Sequence, residues 1–190
     1  ERRTGDQKDQ LGLAFDAIID CADIEELIKE GVLVPADYRS FFIHDLELDN
    51  MDISTGDFPI EQLSNAIIKS SMIEYAINIY LGETKKMKDK PISAWFCPDI
   101  LVAEETKKQV ENKNLNVELI TAKTPIKERL EILKKHEAGD LECLISVGVL
   151  SEGWDNPNCN IIVHLRPTLS KVFWGQSVGR GLRSAEGKTK

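Results

Sequence analysis

Gln176, Arg180 and Arg183 recur at i, i+4 and i+7 in the stretch QSVGRGLR, a spacing that places three side chains on one face if the stretch is helical. Two guanidiniums with an amide beside them make a fork suited to polyphosphate oxygens, because each guanidinium offers a planar set of N–H donors. Gly179 and Gly181 lie in the same stretch and each costs a helix about 1 kcal/mol relative to alanine. A close approach to a partner is a physical motive for them.

Two further stretches carry chemistry-bearing residues where a parallel sheet presents ligands, at the carboxyl ends of its strands. In ISAWFCPD, Pro98 and Asp99 open a helix. Two readings follow: its free N–H groups meet a phosphate, or Asp99 acts only as the helix cap. In ISVGVLSEGWDNPNCN, Gly148 and Gly153 mark bends, with Glu152 and Asp155 beside them.

The elements that must hold these stretches are legible as periodicity. Asp23 as N-cap, Glu25 and Glu26 in the first turn and Gly31 as a stop specify a short helix. Residues 32–48 are rich in β-branched and aromatic types and read as a strand with Pro35 near its start. From Ile60 to Leu81 apolar residues recur at helical spacing, predicting one long amphipathic helix. Strands of continuous apolar residues over 92–97, 117–120, 141–147 and 160–165 then alternate with helices over 99–112, 126–139 and 170–182. Such alternation predicts an α/β fold, a parallel sheet sandwiched by helices.

The composition, 42% hydrophobic and 29% charged, is that of an ordinary globular protein, and no apolar run is long enough for a membrane span. Cys21, Cys97, Cys143 and Cys159 show no C-x-x-C spacing; free thiols, a cytoplasmic location and no metal are expected. The total charge of −8 is unevenly spread. Residues 166–190 hold six basic side chains against Glu186, so this segment is +5 and the remainder −13. That segregation suits a chain whose last part meets phosphates.

In this order the three stretches resemble motifs IV (ISAWFCPD), V (ISVGVLSEGWDNP) and VI (QSVGRGLR) of the second RecA-like domain of superfamily 2 helicases and translocases. Motif VI in that family reads Q-x-x-G-R-x-x-R, matched at each specified position. HLRPT before it and AEGKTK after it are similar to the branch of restriction-enzyme translocases, phage helicases and radiation-repair helicases. The resemblance implies a division of the chain: residues 1–31 as the tail of a first RecA-like domain with its linker, and 32–190 as a helicase C-terminal RecA-like domain ending just after motif VI. Neither G-x-x-x-x-G-K-[ST] nor a D-E-x-[HD] box is present.

By the same resemblance, Arg180 and Arg183 are arginine fingers reaching the γ-phosphate of ATP, Gln176 contacts the phosphates or a catalytic carboxylate, and Gly153 and Asp155 link the nucleotide to motif VI. ATP with magnesium is held mainly by the first domain, the other partner besides the strand, and the chain alone is expected to be inactive. Strand contacts fall to Pro98, Asp99, Thr121, Lys123, Ser146, Val147 and Gly148, largely through backbone and small hydroxyls. Val147 stands where DEAD-box relatives carry a phosphate-binding threonine. DNA is the expected strand, RNA the alternative, and no membrane is involved.

Trp154 and Trp174 carry two readings, stacking on bases or packing within the domain. His44, His136 and His164 have no partner at catalytic or metal-ligand spacing and receive no role. The competing reading of the whole is a RecA-like module that binds nucleic acid or protein without ATPase activity. A dinucleotide-dependent oxidoreductase is disfavoured because no strand is followed by G-x-G-x-x-G.

Overall fold

The computed structural model describes residues 23–54, 56–150 and 154–188. Helix α1, Ile24–Lys29, opens on Asp23. Its carboxylate accepts the Glu26 N–H at 2.9 Å while Glu26 accepts the Asp23 N–H at 3.0 Å, a reciprocal capping box. Gly31 ends the turn at φ +74°, a left-handed conformation that costs glycine nothing.

Residues 32–48 do not form the expected strand. A single antiparallel bridge joins Leu33 to Arg183, and the rest is irregular. Proline removes a ladder donor, and the aromatic side chains here do not alternate into a core. Instead Phe41 meets Tyr75 edge-on and Tyr38 lies against Trp174, with Phe42 80% exposed.

The expected single helix over 60–81 is two helices, α2 (Ile60–Lys69) and α3 (Met72–Thr84). Ser70 between them is extended, with ψ 170°. The Ser71 amide and hydroxyl both donate to the Asp45 carboxylate, at 2.8 and 2.9 Å. Serine hydrogen bonds of this kind compete with helical ones, and apolar periodicity cannot reveal them.

The remainder follows the expected alternation: β1 (Ser93–Phe96), α4 (Ile100–Glu111), β2 (Val117–Ile120), α5 (Ile126–Glu137), β3 (Cys143–Ser146), β4 (Ile161–His164) and α6 (Lys171–Gly181). The sheet is parallel throughout, in the order β2-β3-β1-β4. On one face Trp95, Cys143 and Ile145 pack with Leu63, Ile67, Ile77 and Val102 of α2, α3 and α4. On the other, Ala94, Phe96 and Leu144 pack with Ile132 of α5, Phe173 of α6 and Trp154. A sheet covered on both faces explains why its strands are continuous apolar runs. Among the described residues no helix is long and apolar enough to cross a membrane.

Candidate functional site

The three loops at the carboxyl edge lie in a row. Phe96 and Ile120 are both in register with Ser146, so Pro98 and Asp99, Ser146 to Gly148, and Thr121 with Lys123 follow neighbouring strands out of the sheet. Their polar groups close locally. Asp99 accepts the Val102 N–H at 3.0 Å and caps α4, leaving Pro98 buried behind it. Thr121 donates its N–H to Thr124 Oγ1 at 2.9 Å and accepts the Lys123 N–H at 3.1 Å, while the Arg129 guanidinium donates to the Thr121 carbonyl at 2.9 Å. Ser146 is buried, its Oγ without a hydrogen-bond partner among the described residues. Val147 is half-buried and Gly148 exposed, at φ +71°.

The arginines are not on that edge. Phe173, early in α6, meets Phe96 and His164, the last residues of β1 and β4, whereas Gly181 at its end lies over Ile162, second in β4. Helix α6 therefore runs back across the sheet and delivers Arg180 toward the strands' amino ends. The one-face expectation is corrected too. The helix stops at Gly181 with Leu182 as its C-cap, so Gln176 and Arg180 are helical but Arg183 lies beyond, on the strand-like bridge to Leu33. A Cβ on Gly181 would stand 2.7 Å from Ile162 Cγ1, while one on Gly179 would meet nothing within 4 Å. The close approach that requires Gly181 is to the chain's own sheet.

Both arginines converge on the segment leading into β4. Arg180 donates through Nη1 to the Trp154 carbonyl, and Arg183 Nη1 pairs with the Asp155 carboxylate. Burial, and next the Arg183 charge, pull the Arg180 guanidinium below its ordinary pKa. The Arg183–Asp155 pair is open to solvent, its side chains 34% and 58% exposed, and is held weakly for that reason. Gly153 lies outside the described residues. Trp154 is buried in the second core and Trp174 is half-exposed against Tyr38, so packing accounts for Trp154.

Residues 71–185 match the family model described as "Helicase conserved C-terminal domain". The chain belongs to this family. Over 176 residues it is 29% identical to the "Putative ATP-dependent helicase IRC3" of Saccharomyces cerevisiae, covering 93% of this chain and 25% of that protein. It is 22% identical to "Putative helicase 22" of a Sulfolobus islandicus filamentous virus, covering all of this chain and 34% of that one. The chain thus spans about a quarter to a third of the length of these relatives. Among solved structures it superimposes on the E. coli DEAD-box protein SrmB with a TM-score of 0.52 at 16% identity, over 61% of this chain and 66% of that one. That likeness establishes the RecA-like fold.

In this helicase C-terminal domain, several residues that spacing gave no role hold the site in place. The His136 Nε2 lies 3.1 Å from the Ser93 carbonyl, which can only accept, so Nε2 carries the proton and Nδ1 accepts from Asn156 at 3.0 Å. Asn156 follows Asp155 directly, and its own Oδ1 accepts the Asn158 N–H at 3.0 Å. His164 Nε2 is 3.0 Å from the hydroxyl of Ser177, next to Gln176 on α6. Asp57 accepts from the Thr168 hydroxyl at 2.8 Å and the Leu169 N–H at 2.9 Å, fixing the turn into α6. Burial drops both imidazoles to about 4, neutral groups serving as struts. Each strut joins residues far apart in sequence, which spacing does not register.

Proposed function

We propose that this domain is the C-terminal motor half of an ATP-dependent DNA helicase or translocase, with Arg180 and Arg183 acting as arginine fingers on the γ-phosphate. The observation that carries the reading is the convergence of both guanidiniums on Trp154 and Asp155. A solvent-open carboxylate partner is readily exchanged for a phosphate group, whose anionic oxygens accept guanidinium hydrogen bonds as a carboxylate does. In this reading domain closure presents the γ-phosphate to Arg183, Asp155 is released toward the nucleotide, and Gln176 orients the phosphates from the preceding turn of α6. Transition-state charge spreads over the equatorial oxygens, where the fingers contribute about 10³- to 10⁵-fold in rate.

Magnesium would supply charge neutralisation to the nucleotide phosphates in such motors and is assigned, by the family resemblance, to the nucleotide-holding first domain. Among the described residues no group of three His, Cys, Asp or Glu is placed to hold an ion. The strand, DNA in this reading, runs along the carboxyl edge past Pro98, Asp99, Thr121, Lys123 and Ser146 to Gly148. Backbone and hydroxyl groups there suit phosphate contacts that ignore sequence. Gly153 takes part in coupling the two sites, and the protein works in the cytoplasm, where its buried thiols stay reduced.

The test is ATP hydrolysis by the full-length gene product with DNA and with RNA, beside Arg183→Ala and this domain alone. Stimulation by DNA, no turnover by the domain alone and a loss of about 10³-fold or more in Arg183→Ala with nucleotide still bound are expected. An unchanged rate in Arg183→Ala sinks the finger assignment, and no hydrolysis by the full-length product with either nucleic acid leaves a binding module. Stimulation by RNA alone reassigns the strand.

A further inference from the structure

The Lys188 ammonium is bound by four backbone carbonyls. Gly187, at φ +81°, turns the chain after the arginine segment, and the Lys188 amide closes the turn on the Ala185 carbonyl at 3.1 Å. The side chain then runs back. Its Nζ donates to the carbonyls of Cys159 at 2.6 Å, Gly181 at 2.8 Å, Arg183 at 2.9 Å and Pro157 at 3.0 Å.

The four carbonyls come from two places. Gly181 and Arg183 are the end of α6 and the residue just past its cap, where a helix leaves carbonyls without donors and its dipole is negative. Pro157 and Cys159 lie between Asp155 and β4. An ammonium has three N–H groups, so it satisfies three carbonyls and shares a hydrogen with the fourth. Burial lowers its pKa, as expected of a cation held by neutral dipoles rather than carboxylates.

This clamp closes around the Arg183–Asp155 pair. The pair itself is solvent-open and fixes its own geometry weakly, yet the backbone on both sides of it is tied to one atom. We infer that Lys188 is a positioning residue for Arg183, making the end of α6 and the segment after Asp155 one rigid unit so that the guanidinium meets a phosphate at a fixed place. The inference rests on the phosphate-contacting role proposed for Arg183.

Two readouts on the full-length gene product test it. In ATP hydrolysis, Lys188→Met lowers kcat about tenfold, with KM within about twofold. Added to Arg183→Ala, it causes no further loss, because both act through one guanidinium. An unchanged kcat in Lys188→Met, or a full additional loss in the double variant, overturns the inference. If Arg183→Ala alone leaves the rate unchanged, the finger assignment fails separately and hydrogen exchange decides on Lys188. The Val34 amide donates to the Leu182 carbonyl at 2.8 Å, inside the clamped unit. Lys188→Met speeds its exchange about tenfold and leaves the amides of β1 and β3 unchanged. An unchanged Val34 amide, or equal acceleration throughout the sheet, overturns the inference. Should Lys188→Met fail to fold, Lys188→Gln, which keeps a donor, is read by the same two measures.

Discussion

The two ends of the sheet are built on different scales. At the carboxyl edge the loops close on themselves, Asp99 onto Val102 and Thr121 onto Lys123 and Thr124. At the arginine end the contacts that join α6 and α5 to the segment before β4 cross long stretches of chain, from Arg180 to Trp154, from Lys188 to Pro157 and from Asn156 to His136. A loop closed by neighbours keeps its shape when the rest loosens, whereas a site assembled from distant segments persists only while the packing between them does. The proposed strand-gripping edge is therefore robust, and the proposed phosphate-sensing end is the part that responds to changes in the fold.

Acid has the largest expected effect, through one imidazole at each end of the sheet, His136 beside Ser93 and His164 at the end of β4. His136 and His164 are held neutral down to about 4, from an ordinary value of 6.5. The unfolded chain takes up these protons between pH 6.5 and 4 while the folded one does not. Stability is thus complete above about pH 6.5 and falls as pH drops through that window, by about 3 kcal/mol for each group at its end. The lowered carboxyl of Asp57 contributes a stability that is complete above its ordinary 3.8 and is lost only below it, outside the window. Urea unfolding at intervals from pH 7.5 to 4.5 measures the slope, and His136→Gln removes its share. A slope that survives both His136→Gln and His164→Gln removes the imidazoles as the source.

Two glycines two residues apart provide the next test. Gly181→Ala puts a methyl 2.7 Å from Ile162, an overpacking expected to cost about 1–3 kcal/mol. Gly179→Ala has open space and gains up to about 1 kcal/mol of helix propensity. Opposite signs in thermal unfolding confirm that Gly181, and not Gly179, is where α6 approaches β4 too closely for a side chain. A loss of similar size in both places the close approach elsewhere.

The same difference of scale explains what the sequence revealed. The parallel sheet, its strands and the helix over 126–139 were readable because burial on both faces writes continuous apolar runs, and Asp23 was readable as a cap because a capping box lies within three residues. The strand expected over 32–48 failed because β-branched and aromatic composition does not record what those side chains pack against: Tyr38 and Phe41 lie on Trp174 and Tyr75, from helices far along the chain. The unbroken helix failed on one carboxylate, Asp45, taking both hydrogens of Ser71 across twenty-six residues. At the candidate site, motif spacing singled out Arg180, Arg183 and Asp155, which the fold brings together, but not the end of α6 between the arginines, and it registered Lys188, His136 and His164 only as a charge and as unassigned rings.

The smallest expected effect probes the carboxyl edge. Asp99 caps α4 through one bond to Val102, so Asp99→Ala costs about 1 kcal/mol and Asp99→Asn, an equally good cap, close to nothing. The pair of variants separates capping from strand binding, because the asparagine keeps the cap and removes a negative charge from a helix N-terminus. If strand phosphates approach that terminus, Asp99→Asn tightens DNA binding by the full-length gene product severalfold at low salt, and the gain fades as salt rises. If binding is unchanged while Asp99→Ala still lowers the unfolding midpoint, Asp99 serves its helix alone. The strand path must then be drawn through Thr121, Lys123 and Ser146 to Gly148.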